Sequence, residues 1–259
     1  DVILNQVISK ADIDAGNLTF EPAANGNGAG YDSFGFSVND GALDSVISYT
    51  MSIDVTATND DPYTSIALPT DISVTEDVAS NVDLSVINLV DVDAGASSIS
   101  VTLTTTAGLL TATSGGGVTV TGSGTTSLLL QGSVTDLNTF FDTASNISYL
   151  HPTGDTYGDN TDTITVVAND GGNTGSGGGV NITLGTVNVD ISGVNDAPIN
   201  QMPGAQVTDV DTTLILSGST AIQVGDIDAG ASVIRVTLTA TDGLMTLNGT
   251  TGLAFGTGD

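Results

Sequence analysis

From residue 63 to residue 198, apolar and polar positions alternate in short runs. Ile99 to Thr105 alternates at period two, as do Val118 to Thr121, Ile147 to Leu150, Thr163 to Val167 and Val187 to Ile191. A strand sends successive side chains to opposite faces, so each run predicts a strand with one buried face. Gly, Asn, Asp or Ser bounds each run and supplies the turn between strands. The stretch Thr135 to Asp142 breaks the pattern. Its Leu137, Phe140 and Phe141 stand at helical spacing behind a Thr-Asp cap, which predicts a short helix plugging one end of a sandwich. Regular short strands with turn signals point to an all-β chain of β-sandwich type.

The pattern recurs. Asn59-Asp60-Asp61-Pro62 returns as Asn195-Asp196-Ala197-Pro198, 136 residues on. Asp91-Val92-Asp93-Ala94-Gly95 returns as Asp226-Ile227-Asp228-Ala229-Gly230 at an offset of 135, and Gly108-Leu109-Leu110-Thr111 as Gly243-Leu244-Met245-Thr246. Upstream, Phe34 to Asp40 matches Ile164 to Asp170 at an offset of 130. Six extra residues in the glycine-rich stretch 171–180 restore 136. The chain therefore reads as the C-terminal half of a repeat (1–62), a complete repeat (63–198) and the N-terminal half of another (199–259), with Pro62 and Pro198 stiffening the boundaries. Two readings stay open. Either a longer array is cut within repeats, or the 199–259 half of one chain completes the 1–62 half of the next, head to tail, as a non-closing filament. Each half alone would leave sheet edges and core exposed.

Composition agrees with strands and turns: the chain is rich in Thr, Val, Ser and Gly and poor in the long helix formers. Charge removes whole classes of function. Thirty acids against Lys10 and Arg235 give a formal charge of −28, which leaves no basic surface for nucleic acid or for anionic lipid. No apolar run is long enough to span a bilayer. No basic-then-apolar segment opens the chain, which reads as an interior excerpt or a mature product. The absence of cysteine removes disulfides, zinc-thiolate sites and cysteine nucleophiles.

All but two of the acids, Glu21 and Glu76, are Asp, and they gather at strand ends and boundaries rather than inside strands. Asn59, Asp60 and Asp61 mark the first boundary, and Asn195 and Asp196 the second. Asp91 and Asp93 precede a strand, as do Asp226 and Asp228; Asp170 follows one, as does its counterpart Asp40. Two carboxylates ~4 Å apart repel by about 1 kcal/mol in water and about 4 kcal/mol at an effective dielectric of 20, so such clusters call for cations. Asp and Asn oxygens are hard ligands suited to Ca²⁺, and a single histidine without cysteine disfavours a transition metal.

These segments resemble the cadherin-like (Ig-like) repeats of very large bacterial surface and secreted proteins. Val55 to Pro62 and Ile191 to Pro198 are similar to the junction ending in Asn-Asp-Asn-x-Pro. Asp91-x-Asp93-x-Gly95 and Asp226-x-Asp228-x-Gly230 are similar to that family's Asp-x-Asp-x-Gly, Val167 to Gly172 to its Val-x-Ala-x-Asp-x-Gly, and Glu76 to its early glutamate. The resemblance implies tandem sandwiches with one short helix per repeat and a Ca²⁺ cluster at each junction. By it, the first junction combines Asn59, Asp60 and Asp61 with Asp91, Asp93 and Asp170. The second combines Glu76, Asn195 and Asp196 with Asp226 and Asp228, its late-strand aspartate being supplied from outside the segment or by Asp40 of a following chain. The chain departs from the family at Ala197, at Val210 where Glu76 would align, and in lacking the Asp-Arg-Glu motif, which implies weak sites and few ions at each junction. Asp12 and Asp14 repeat the Asp-x-Asp text at a different place and predict a plain turn.

Other chemistry fits less well. His151, the sole possible base for a serine triad, sits at a strand end before Pro152 and reads as structural. A glycosidase would need aromatic side chains to line a sugar site, and the chain has no Trp. The stretch 171–179 has glycines but no Lys and reads as a hairpin loop. Asn17, Asn146, Asn181 and Asn248 stand in glycosylation-type triplets of the kind chance supplies in a Thr-rich chain. The expected function is non-catalytic: a Ca²⁺-rigidified repeat segment of an extracellular bacterial surface protein, as an adhesin stalk or head-to-tail filament, any surface ligand being bound elsewhere in the parent protein. The alternative is a Ca²⁺-dependent polysaccharide- or protein-binding module, to be recognised by an aromatic platform around Tyr31 or Tyr157.

Overall fold

Alternation places most of the strands where they lie. The computed structural model describes residues 6–173 and 175–255 and is all-β with a few short helical turns. In chain order the elements are α1 (Lys10–Asp14), β1 (Gly28–Phe36), β2 (Tyr49–Val55), β3 (Tyr63–Thr64), β4 (Asp71–Thr75), β5 (Ser80–Asn81), β6 (Leu89–Val90), β7 (Ile99–Thr105) and β8 (Leu109–Ala112). There follow β9 (Thr119–Thr121), β10 (Ser127–Gly132), α2 (Val134–Phe141), β11 (Ile147–Leu150), β12 (Gly158–Asn169), β13 (Ile182–Ser192), β14 (Ile199–Gln201) and β15 (Gln223–Gly225). Among the described residues no helix is long and apolar enough to cross a membrane. The chain divides into two compact units at Val194/Asn195.

In the first unit, a six-stranded sheet runs β4-β13-β12-β7-β10-β9 and a three-stranded sheet runs β5-β11-β8. One apolar core draws on both. Ile99, Val101 and Leu103 of β7 point into it while their neighbours stay partly exposed, and Leu110 and Tyr149 enter from the smaller sheet. Among the described strands, β13 and β4 alone pair in parallel, and an isolated parallel bridge joins Thr58 to Ser176. The hairpin β1–β2 stands as a separate two-stranded sheet. Its register repeats that of β12–β13: Asp32 pairs with Ile53 and Gly28 with Val55, as Asp162 pairs with Val189 and Gly158 with Ile191, with an irregularity at the same place in each. The second unit holds β14–β15, whose pairing of Ile199 with Gly225 matches that of Tyr63 with Val90 in β3–β6.

Two local expectations are corrected. α2 is the anticipated helix, with Leu137, Phe140 and Phe141 buried, but its cap is Ser133, not a Thr-Asp pair: Ser133 Oγ accepts the Asp136 N–H at 3.2 Å. An N-cap must be extended, and Ser133 is, whereas Thr135 is already inside the helix. Asp12 and Asp14 lie in the helical turn α1 rather than a plain turn, because Ser9 caps it and Lys10 pairs with Asp14 one turn on. α2 is tied to the core's edge by Asn138, which accepts the Leu89 N–H at 2.8 Å and donates to the Leu89 carbonyl at 2.9 Å. Removing the cap with Ser133→Ala should cost about 1 kcal/mol in urea unfolding. Asn138→Ala should cost more, because it strands both backbone groups of Leu89; a loss no larger than that of Ser133→Ala would show that the clamp contributes no more than the cap.

Candidate acidic junction sites

The Asp-x-Asp text folds locally in the same way twice. Asp91 Oδ1 accepts the N–H groups of Asp93 at 3.2 Å and Ala94 at 2.9 Å, and Gly95 then turns the chain at φ +57°. Asp226 Oδ1 accepts those of Asp228 at 3.1 Å and Ala229 at 2.9 Å, with Gly230 at φ +51°. Such a turn commits the first carboxylate to the backbone and directs the second towards the boundary segment. Asp93 Oδ2 accepts the Asp60 N–H at 3.1 Å, and Asp228 accepts that of Asp196. In each boundary the asparagine side chain donates to the following carbonyl, Asn59 to Asp60 at 3.1 Å and Asn195 to Asp196 at 2.9 Å.

Asp170 completes the first group. It is buried at the end of β12, where its Oδ1 accepts Gly172 N–H at 2.8 Å and Gly179 N–H at 3.2 Å while Oδ2 accepts Asn59 Nδ2 at 2.6 Å. Burial alone would raise its pKa; the Gly172, Asn59 and Gly179 donors outweigh that and hold it below the usual carboxylate value. Asp91 goes the other way, raised by burial and by the adjoining Asp93. The glycine-rich loop does more than connect β12 to β13. Asn59 N–H donates to the Ser176 carbonyl at 3.2 Å and Ser176 N–H to that of Ala57 at 3.1 Å, so the loop clasps the boundary segment. At Gly178, with φ +77°, a Cβ would overlap the Asn59 side chain, which is why a side chain is excluded there.

Some oxygens in this group have no donor. Asn59 Oδ1 and Asp91 Oδ2 are buried and accept no hydrogen bond. Asp61 is exposed and takes no part in the network. Among the described residues, the carboxylates of Asp91, Asp93 and Asp170 do not converge as a group of three within 4.8 Å, although Asp91 and Asp93 lie close to each other. Asp40 lies in the β1–β2 loop, where its Oδ1 accepts Ala42 and Leu43 N–H groups at 2.9 Å each, and it joins none of the other expected ligands.

Glu76 lies at the opposite end of β13. It is 2% exposed; its Oε1 accepts the Val194 N–H at 2.6 Å, and its Oε2 is buried with no partner. A Cβ on Gly193 would stand 3.4 Å from Oε1 and 3.2 Å from the Tyr157 ring, so the backbone passes close to both. Two further acids at this end were not expected from the sequence, Asp77 and Asp155, both in the left-handed region at φ +60°. The available signal was weak: Asn25, which aligns with Asp155, has φ +58°. In the second unit, Asn195, Asp226 and Asp228 line a shallow cleft of about 350 Å³ together with Arg235. Comparison with family models, with curated proteins and with solved structures finds no match.

Proposed function

We propose that this chain is a non-catalytic segment of tandem cadherin-like β-sandwich repeats whose acidic junctions bind Ca²⁺, serving as a stiff stalk or filament at a bacterial cell surface. The supporting observation is the set of buried oxygens at both ends of the 63–194 β-structure, Asn59 Oδ1, Asp91 Oδ2 and Glu76 Oε2, that no hydrogen bond satisfies. Buried polar groups without partners are rare and costly, and carboxylate and amide oxygens match the donor set of a hard divalent cation. Matching registers in β1–β2 and β12–β13, and matching turns at Asp91 and Asp226, support the repeat reading. Asn59, Asp60, Asp91, Asp93 and Asp170 would hold the ion of the first junction, and Glu76 belongs to the second. The bound ion would supply positive charge that offsets carboxylate repulsion. The residues themselves tie the boundary segment to the Asp91 turn and to the glycine-rich loop, so that one repeat is held to the next.

Ca²⁺ titration tests this. At 10 to 100 times the dissociation constant, stabilisation of about 1.4–2.7 kcal/mol is expected, reversed by chelator and weakened in Asp93→Asn/Asp170→Asn. Unfolding and hydrodynamic radius that do not change between Ca²⁺ and chelator would refute the proposal.

A second reading, a polysaccharide- or protein-binding module, draws on the exposed aromatic row Phe34, Phe36 and Tyr49 on β1–β2, with ring centroids 6.4 and 6.0 Å apart. Tyr31 offers no platform, since its hydroxyl accepts the Ala23 N–H and its ring packs edge-on against Phe20.

A further inference from the structure

We infer that β4 and β13 form a shear clamp: tension along the chain across residues 63–194 loads their parallel ladder lengthwise, and this pair sets the force that the β-structure withstands. The inference deepens the stalk reading, on which it rests, and does not depend on calcium. β4 and β13 are the one parallel pair among the described strands. Asp71 pairs with Asn188 at one end of the ladder and Thr75 with Ser192 at the other. The chain enters β4 at Asp71 and leaves β13 at Ser192, so the two flanks pull on opposite ends of the ladder. Such a pull draws the strands past each other, and the ladder bonds must give together. An antiparallel pair would present both loaded ends side by side and open one bond at a time.

The ladder lies on the route the load must take. Before β4, the chain is held by β3, whose two pairs with β6, Tyr63 with Val90 and Thr64 with Leu89, offer little resistance. β13 is held on its other side by β12, through eight registered partners against the five of β4. β4 is the edge of the six-stranded sheet, so it is the strand that slips.

Both ends of the ladder carry extra fastening. At the first, Asn188 N–H donates to the Thr70 carbonyl at 2.9 Å and the Asn188 side chain to Asp71 Oδ1 at 3.1 Å. At the second, Glu76 N–H donates to the Ser192 carbonyl at 3.0 Å and Glu76 Oε1 accepts the Val194 N–H at 2.6 Å. Ile72 and Val74 of β4 are buried, as are Val189 and Ile191 of β13, and they cover the bonds between the strands on the core side. A hydrogen bond shielded from water breaks without a replacement partner, which raises the barrier to slip.

The chain has no cysteine, so paired cysteines can choose the direction of pull. Asp61→Cys/Val194→Cys applies force at opposite ends of the ladder. Val78→Cys/Val194→Cys applies it at the Thr75–Ser192 end alone. All three positions are exposed. In optical-trap stretching of the full chain, both pairs should unfold the β-structure with a contour gain of about 40 nm. The first should need several-fold more force at the same loading rate. Asn188→Ala should lower the first force and leave the second unchanged, because only the lengthwise pull loads the Asp71 end before rupture. Equal forces in the two directions, or an Asn188→Ala loss shared by both, would overturn the inference. Run in Ca²⁺ and in chelator, the assay separates the two proposals. A directional difference in both supports the clamp even if calcium has no effect on melting. A difference confined to Ca²⁺ would place the resistance in the ions and overturn the clamp. A calcium-dependent melting shift with equal forces supports the junction reading and overturns the clamp.

Discussion

Asp162→Ala should destabilise the chain by about 3–5 kcal/mol, more than any substitution at the acidic junctions. Asp162 lies inside β12 and is 4% exposed. Its carboxylate gathers the N–H groups of Thr106 at 3.0 Å, Ala107 at 3.3 Å, Gly108 at 2.8 Å and Thr163 at 2.7 Å, and the Tyr149 hydroxyl at 2.9 Å. One side chain thereby joins β12 to the β7–β8 turn and, through β11, to the smaller sheet. The alanine variant leaves several buried donors without an acceptor, at about 1–3 kcal/mol each before water or relaxation offsets part of the loss. Chemical denaturation with hydrogen exchange at Thr106 and Gly108 would measure it. An alanine variant within about 0.5 kcal/mol of wild type would show that the five bonds are not holding the sheets together.

The same carboxylate gives the fold an acid limit. Burial pushes its pKa up, but the donors from Gly108, Thr163, Tyr149 and Thr106 outweigh burial and bring it below the usual aspartate value. A group depressed in the folded state contributes stability above its unfolded pKa of about 3.9 and loses it as pH falls through the folded value. The gap in stability between wild type and Asp162→Asn should therefore be widest near neutrality and shrink below about pH 4. A gap that stays constant down to pH 2 would contradict the assignment.

Gly108→Ala should be similarly damaging, for reasons of space. A Cβ at Gly108 would overlap Tyr149 Cε2 and Cζ and stand 2.5 Å from the hydroxyl oxygen. Tyr149 is 1% exposed and its hydroxyl is engaged by Asp162, so the ring has nowhere to go without breaking that bond. Overpacking costs about 1–3 kcal/mol, and the displaced phenol adds the loss of a charge-assisted hydrogen bond. A total of about 3 kcal/mol or more is expected. In Gly108→Ala/Tyr149→Leu the losses should fall short of additive, because the smaller side chain frees the space. Simple additivity would show that the clash is not between these two residues.

Some strand positions were legible: β7 and β11 fall on runs read as alternating, whereas β4, which alternates equally well over Asp71–Thr75, was not among those runs. β10 was not, because Leu128-Leu129-Leu130 hides the alternation of two core residues around a partly exposed one. At the junctions, the Asp91 and Asp226 turns were legible because an Asx turn is local. The acids inside strands were not. Asp162 reads in the sequence like any surface aspartate, and what distinguishes it are donors more than 50 residues away in the chain.

By itself, then, the sequence determined the all-β class, a short helix read at 135–142, the Asp-x-Asp text at 91–93 and 226–228, and a formal charge of −28. All of these follow from local periodicity, spacing and composition. Only the tertiary structure decided that Asp170 reaches Asn59 111 residues away, that the glycine-rich loop clasps the boundary segment, that Glu76 is buried with an unmatched oxygen, and that Asp162 braces the core. Each of these depends on which strands become neighbours. Pairing and burial are properties of the assembled sheets, and no local pattern of residues encodes which distant backbone amide will face a given carboxylate.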